Sequence, residues 1–476
     1  TVPTTTPSAN PLPVSPFTIG IASGDPDTTS VVLWTRLLGD LPNEQTVVWE
    51  VAGDERFTKL AAAGVVTASV DDAHAIHVVA ENLTPDTVYW YRFTADAHTS
   101  PVGRTRTTPD GEGDHMRFAF ASCQDWQDGL YTAHAHLAEE DVDLVVWLGD
   151  YIYENGPART AIRTHDTPEV TSLEDYRRRY ALYKGDPALQ AAHARAPWFV
   201  TGGDHEVDNN YAGTTPEVVA PKVDFVARRA AAYRAWWEHQ PTRLPRPEED
   251  GVLTAYRALV WGGLATFVGL DGRQYRDDQP CARTSDVGAG CADRDRDDRT
   301  MLGAEQERWV DRTLTRSKSA WNVLANQTIF TPSAVRLGNQ ELFNLDQWDG
   351  YPAARQRMLD VLVRTSNPVV VTGDIHASAV SDVKRGDAVV TSELVGASMT
   401  SSLSAGLDVL FEAAAAASGA KFADAHHHGY VMCDVSLDAL RADYRIVSTT
   451  TEPTATIATS SSWEIAAGAP GIRRLP

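Results

Sequence analysis

Basic residues are in short supply in this chain, and long apolar runs are missing from it. Against 64 aspartates and glutamates stand 42 lysines and arginines, a formal charge of −22. Phosphate backbones need a basic surface, so duplex nucleic acid is excluded as a general partner. The same deficit excludes strong electrostatic attraction to an anionic membrane, while a transient membrane-surface contact stays compatible with it. No apolar run approaches the about 18–20 residues of a transmembrane span. No internal repeat is found. Cysteine is scarce, with four in 476 residues: Cys123, Cys281, Cys291 and Cys433. Cys281 and Cys291 flank a polar, Gly-containing loop, where a local disulfide fits an exported protein better than two free thiols. Cys433, in the run Tyr430–Val435, reads as a buried strand residue. The chain begins at Thr1 without Met, and its Thr/Pro/Ser-rich opening resembles the spacer left when a signal peptide is removed. A secreted, extracellular protein is therefore expected.

What is present is enough for two or more domains, since 476 residues can bury a large core. Residues 1–15 read as an extended segment. From 16 to 108 the signals are short strands separated by turn residues, such as Val31–Trp34, Thr46–Val51 and His77–Val79, and regular strand spacing predicts a β-sandwich. The run Leu83-Thr84-Pro85-Asp86-Thr87-Val88-Tyr89 resembles the tyrosine-corner region of fibronectin type III domains. A turn-rich linker, Thr107–Gly113, follows. From 115 to 476 strands alternate with helical stretches, which predicts a layered α/β domain. Strands are expected at Met116–Ala121, Leu144–Leu148, Leu264–Leu270, Trp321–Leu324 and Val369–Thr372. Helices are expected at Leu130–Glu140 and Val226–His239. An antiparallel pair over Tyr430–Val447 is expected to finish a sheet.

The chemistry sits at strand ends. The apolar run Val145–Leu148 stops at Gly149-Asp150, as a buried parallel strand does, and Tyr153 follows three residues on. Ligands bind at the carboxyl ends of such strands. Val370-Val371-Thr372-Gly373-Asp374-Ile375-His376 repeats the design, and Gly203-Asp204-His205-Glu206 lies between them. A fourth strand ends at Cys123. A lone Gly-Asp is often just a helix cap or a turn, and a lone Cys is often only a small core residue. Together, thiolate, carboxylates, phenolate and imidazole form a donor set for a hard metal such as iron.

These residues carry a resemblance. Phe17–Pro26 with Val32–Arg36, Ala121-Ser122-Cys123, Gly149–Glu154, Asp204–Tyr211, Asp271–Arg276 and Thr372–His376 are similar to the corresponding stretches of the PhoD-like alkaline phosphatases. That family includes secreted actinobacterial phospholipases D and glycerophosphodiesterases. The resemblance implies an α/β (α+β) chain, with a fibronectin-III-like β-sandwich before a four-layer α/β/β/α metallophosphoesterase domain. Purple acid phosphatases offer a remoter likeness through Gly-Asp-x-x-Tyr. It implies one cation, Fe³⁺, on Cys123, Asp150, Tyr153 and His376. A second cation would share Asp150 with Asp204 and Asp374, with Asn209 as a further candidate. Carboxylates replace the Asn and His of that pattern, so Ca²⁺, Mg²⁺ or Mn²⁺ is expected there rather than zinc; the PhoD-like enzymes are similar in using iron plus calcium.

The expected role of His205 is general acid or donor to a phosphoryl oxygen, with Asn209 or Asn210 donating an amide to phosphate and Arg273 pairing with a carboxylate or the substrate. Gly202-Gly203 stands where family members carry an aromatic and an acid, which is expected to open the site. Tyr211 and the pair Trp236-Trp237 are candidates for lining a groove, against ordinary core packing for the tryptophans. His426-His427-His428 reads as a solvated loop near the site mouth. The resulting expectation is a secreted phosphodiesterase of the phospholipase D or glycerophosphodiesterase type, acting on a small or lipid phosphate ester. A broad alkaline phosphomonoesterase is the alternative, and a non-catalytic calcium-binding surface protein the distant one.

Overall fold

The computed structural model describes residues 12–218, 223–248, 251–281, 286–404 and 406–476. Most of the expected extended segment 1–15 lies outside them. The chain is mixed α/β, with seven α-helices and four β-sheets among the described residues.

A ten-stranded sheet runs in the order Ala469–Arg474, Ile457–Ala466, Ala439–Val447, Gly429–Ser436, His115–Ala121, Leu144–Leu148, Trp198–Thr201, Ile21–Gly24, Val31–Arg36, Ala75–Ala80. Its centre is parallel: Leu144–Leu148 pairs in parallel with a neighbour on each side. All five of its residues are buried, which is why it reads as an unbroken apolar run. The second sheet, of seven strands, has Ala265–Gly269, Trp321–Ala325, Pro368–Thr372 and Ala388–Val395 in parallel at its centre. Phe118, Val146 and Leu148 of the first sheet share one core with Phe267, Val323 and Val371 of the second. On the far side of the first sheet, Trp147 and Trp198 pack with residues of the helices Thr132–Leu137, Leu173–Lys184, Pro187–Arg195 and Phe225–His239. Beyond the second, Val268, Leu324 and Val370 pack with the helices Gly303–Arg316 and Pro352–Leu362.

The N-terminal strands build a sandwich, but one of its faces belongs to the large sheet. Val31, Leu33, Ile76 and Val78 pack on Val47, Val51, Tyr91 and Phe93 of the smaller five-stranded sheet. Tyr89 forms the expected corner, its hydroxyl accepting the Thr84 N–H at 2.8 Å. Gly24 pairs with Trp198, so strand Ile21–Gly24 continues the central sheet. Asp25 secures this junction: its carboxylate accepts from Arg257 Nη2 at 2.7 Å and from the Arg243 N–H at 2.8 Å. The Tyr430–Val447 pair does not finish the sheet, because Ile457–Ala466 and Ala469–Arg474 extend it by two antiparallel strands. Cys281 and Cys291 are joined by a disulfide, and Cys433 is a buried free thiol. Among the described residues no helix is long and apolar enough to cross a membrane.

Candidate metal centre

Strand ends from both sheets meet at one place. His115–Ala121 leads to Cys123, Leu144–Leu148 to Asp150, Trp198–Thr201 to Asp204, and Pro368–Thr372 to Asp374 and His376. The chain turns sharply at four of these residues. The φ angles are 58° at Cys123, 56° at Asp150, 67° at Asp374 and 57° at His376. Left-handed backbone costs a non-glycine residue about 1–2 kcal/mol, and such strain gathers at functional sites. Gly203 permits the close approach: a Cβ there would stand 2.2 Å from Asp150 Oδ1, whereas one at Gly202 would meet open space. The space that Gly202-Gly203 leaves free therefore lies at Gly202, while Gly203 is close-packed on Asp150.

The donors fall into two groups that share Asp150. In the first, Cys123 Sγ and Tyr153 Oη each lie 3.4 Å from Asp150 Oδ2, and Tyr153 Oη lies 3.0 Å from His376 Nε2. Adjacent donors at right angles, each about 2.0–2.3 Å from one ion, stand about 3 Å apart, so this spacing fits a bound cation. The Ser402 carbonyl lies 3.3 Å from His376 Nδ1, which leaves Nε2 to face the group. The Ser401 hydroxyl donates to Tyr153 Oη at 2.8 Å. In the second group, a ring nitrogen of His205 and carboxylate oxygens of Asp150 and Asp204 lie within 4.8 Å of one another. Arg273 ties Asp374 to it, with Nη2 3.4 Å from Asp204 Oδ1 and 3.1 Å from Asp374 Oδ1.

A supporting shell holds these groups, and sequence reasoning missed it. Glu154 Oε2 lies 2.7 Å from His205 Nδ1, and the His205 ring stacks on Tyr153 with centroids 4.1 Å apart. Glu206 accepts backbone N–H groups from Asp150, Tyr151 and Gly203 at 3.2, 2.6 and 2.5 Å, and so clasps two strand-end loops together. Asp346 takes both Nη atoms of Arg273 at 2.9 Å, and Gln347 donates to Asp374 Oδ2 at 2.6 Å. Glu154 follows directly on the Asp-Tyr-Ile-Tyr run and could have been found. Asp346 and Gln347 lie in a loop with no strand-end signature.

Several expectations are corrected. Arg273 engages three carboxylates, which makes it a positioning residue rather than a group free to meet substrate. Asn209 turns its side-chain amide to Glu217 and its backbone N–H to Glu154, and no described contact brings it into either donor group. It is Asn210 whose N–H reaches Asp204 Oδ2, at 2.6 Å. Tyr211 is wholly buried, paired through its hydroxyl with Tyr233. Trp236 and Trp237 are core residues, Trp237 stacking on His77. In the triplet, the exposed His426 and His427 face the acids Glu412 and Asp424, while His428 lies 3.1 Å from Ser398 Oγ and 3.4 Å from Ser402 Oγ.

The electrostatics fit bound cations. Asp150, Asp204 and Asp346 are buried and Asp374 is largely covered, four acids around the guanidiniums of Arg273 and Arg276 and the His205 imidazole, an excess of negative charge that burial penalises. Burial, then Asp204, raises the Asp150 carboxyl well above the usual range, and the same causes bring Asp374 up to about 6. Burial also raises Asp204, but Arg273 and His205 outweigh it and hold this carboxyl low. Burial, then Asp150, pushes the Cys123 thiol up. Burial opposes the charge on His205, yet Glu154, Asp204 and Asp150 together hold its pKa well above the ordinary histidine value. Asp204 Oδ1 is buried with no hydrogen-bond partner among the described residues. A carboxylate oxygen beside three further acids, with only the Arg273 ion pair at 3.4 Å and no hydrogen bond, is the kind of atom a cation satisfies.

Comparison with known proteins agrees with this geometry. A family model described as PhoD-like phosphatase matches residues 118–444, and another, PhoD-like phosphatase, N-terminal domain, matches residues 4–109. The chain is 42% identical over 496 residues to alkaline phosphatase D of Bacillus subtilis (strain 168), covering 97% of this chain and 82% of that protein. It also matches the solved structure of PhoD with a TM-score of 0.92 at 40% identity, covering 98% of this chain and 94% of that one.

Proposed function

The chain belongs to the PhoD-like phosphatase family, and on that premise we propose that it is an exported alkaline phosphatase hydrolysing small phosphate esters at a two-cation centre. The single observation that carries the site assignment is the sharing of Asp150 by both donor groups. Thiolate, phenolate, carboxylate and imidazole on Cys123, Tyr153, Asp150 and His376 suit Fe³⁺. With His205 kept as an acid rather than a ligand, the oxygen donors Asp150 and Asp204, and Asp374 linked to them through Arg273, suit Ca²⁺, with Mg²⁺ or Mn²⁺ next. Two such cations supply water activation and charge neutralisation for an in-line displacement at phosphorus.

The chain's own residues do the rest. Glu154 engages His205 Nδ1, so Nε2 is the nitrogen left to donate. Its acid neighbours, Glu154 first, favour the protonated ring that a departing alkoxide requires. The His205 side chain keeps 12% of its surface exposed, so substrate can reach it. Arg273, fixed by Asp346, spaces Asp204 from Asp374 and offsets part of their repulsion.

The family membership favours a phosphomonoesterase over the phospholipase D type expected from the sequence. The diesterase reading stays second, supported by the room beside Asp374 described below. The Cys281–Cys291 disulfide supports export, since such bridges persist in oxidising compartments. The test is a hydrolysis panel of nitrophenyl phosphate, its bis-ester, a glycerophosphodiester and a lysophospholipid. Faster turnover of the monoester is expected. A protein that cleaves only the diesters would replace this reading with the second one.

A further inference from the structure

Beside the metal centre lies an apolar cavity that the proposed chemistry does not use. Its volume is about 110 Å³, below the about 300–1,000 Å³ of pockets that enclose a whole drug-sized ligand, so it suits a single substituent. Its wall includes Ile375, whose chain neighbours are Asp374 and His376. Consecutive Cα atoms stand about 3.8 Å apart, so the cavity begins one residue from the donors. Ile375 and Phe411 pack together on Ile329, Ala379 and Val395. Leu403, next to the Ser402 whose carbonyl meets His376, lines the same space.

We propose that this cavity is a subsite for a hydrocarbon substituent of the phosphate ester, held while the phosphoryl group lies at the centre next door. No Lys, Arg or His is among its described lining residues, so a second anion would find no countercharge there. Its one charged residue, Glu393, is already satisfied. Its carboxylate accepts from Phe330 N–H at 2.8 Å, Thr331 N–H at 2.7 Å and the Thr372 hydroxyl at 2.7 Å. The outer wall is the helix Leu407–Ser418, an alanine-rich element of which only Ala414 and Ala415 are buried. Leu410 and Phe411 of that helix face the cavity, while Val409 points to solvent at 69% exposure. Continuity with the metal centre decides the occupant. A chain entering past Ile375 stays covalently joined to a phosphoryl group at Asp374 and His376, whereas a docked protein segment would have no reason to start there.

The inference rests on the hydrolase reading for the phosphoryl group but not for the cavity, and binding separates the two. Alkylphosphonates from methyl to hexyl are titrated calorimetrically into the metal-loaded protein. Dissociation constants should fall about two- to fourfold per methylene, the range expected for burying a methylene. Ala415→Trp, which fills the cavity, should flatten that series and leave methylphosphonate binding unchanged. Leu410→Gln, which keeps the volume but places an amide in the wall, should reduce the slope without threatening the fold. Equal affinity at every chain length overturns the proposal, as does a slope that survives both substitutions. Phosphate release from the matching alkyl phosphate monoesters is measured alongside. Chain-length-dependent binding without turnover would sink the hydrolase reading alone, and turnover without such binding would sink the subsite alone.

Discussion

Glu154 and His205 form a charged pair at the mouth of the metal centre, with Oε2 2.7 Å from Nδ1, while Glu154 Oε1 accepts the Asn209 N–H at 2.9 Å. The carboxylate therefore fixes both the ring's orientation and the nitrogen that carries the transferable proton. His205→Ala should slow esters with alkoxide leaving groups by about 10²–10⁴-fold, and nitrophenyl esters much less, because only alkoxides need the proton. Glu154→Gln should show the same selectivity in weaker form, and should lower the pH at which alkyl-ester turnover begins to fail. Equal losses on both ester types would remove the general-acid role.

Cys123 is fully buried and lies 3.4 Å from Asp150 Oδ2. Iron bound by a thiolate and a phenolate should give the purified protein a visible charge-transfer band. Cys123→Ala should lose the thiolate contribution, most of the iron and most of the activity, with its circular dichroism intact. Full iron content and full activity in that variant would falsify the ligand assignment.

Arg273 is 1% exposed and bonded to Asp346 through both Nη atoms. A lysine there cannot repeat the fork. Removing the guanidinium with Arg273→Met leaves Asp204 and Asp374 without their ion pair while Asp346 keeps Arg276, and should cost about 3–5 kcal/mol of stability, the usual scale for breaking a buried ion pair. Denaturant unfolding measures this. An unchanged midpoint would show that Arg273 does not organise the acids.

Buried neutral imidazoles make the fold acid-sensitive. Burial holds His134 down to about 3 and His77 to about 4, against about 6.5 in an unfolded chain. Between those values the unfolded chain takes up protons that the folded one refuses. Their contribution is thus fully present above pH 6.5 and is lost as the pH falls through 4 and 3. Each group adds a slope of up to about 1.4 kcal/mol per pH unit. Denaturation midpoints at pH 7.5, 6 and 5 should fall in order, less steeply in His134→Gln. A flat series would contradict this.

The strand ends were legible because a buried parallel strand leaves an unbroken apolar run and its last polar residues stand out. Cys123, Asp150 and Asp374 were found that way, and so was Tyr153 by its spacing. Asp346 and Gln347 were not legible, because only folding brings their loop, about 75 residues beyond Arg273, onto it. The sharing of one sheet by both parts of the chain rests on Gly24 meeting Trp198, a contact no local pattern announces. Trp236 and Trp237 bear out the core-packing reading, although aromatic pairs read alike in a groove and in a core and only burial decides between them.

Metal content of an Asp150→Asn protein tests the shared-carboxylate centre most directly. Asn tolerates the left-handed backbone that Asp150 adopts at φ 56°, so the fold should survive. Elemental analysis should find both cations depleted at once, with nitrophenyl phosphate turnover down by about 10³-fold or more, on the scale of losing the metal-activated water. Retention of either cation at full occupancy would show that Asp150 is not the residue that joins the two donor groups.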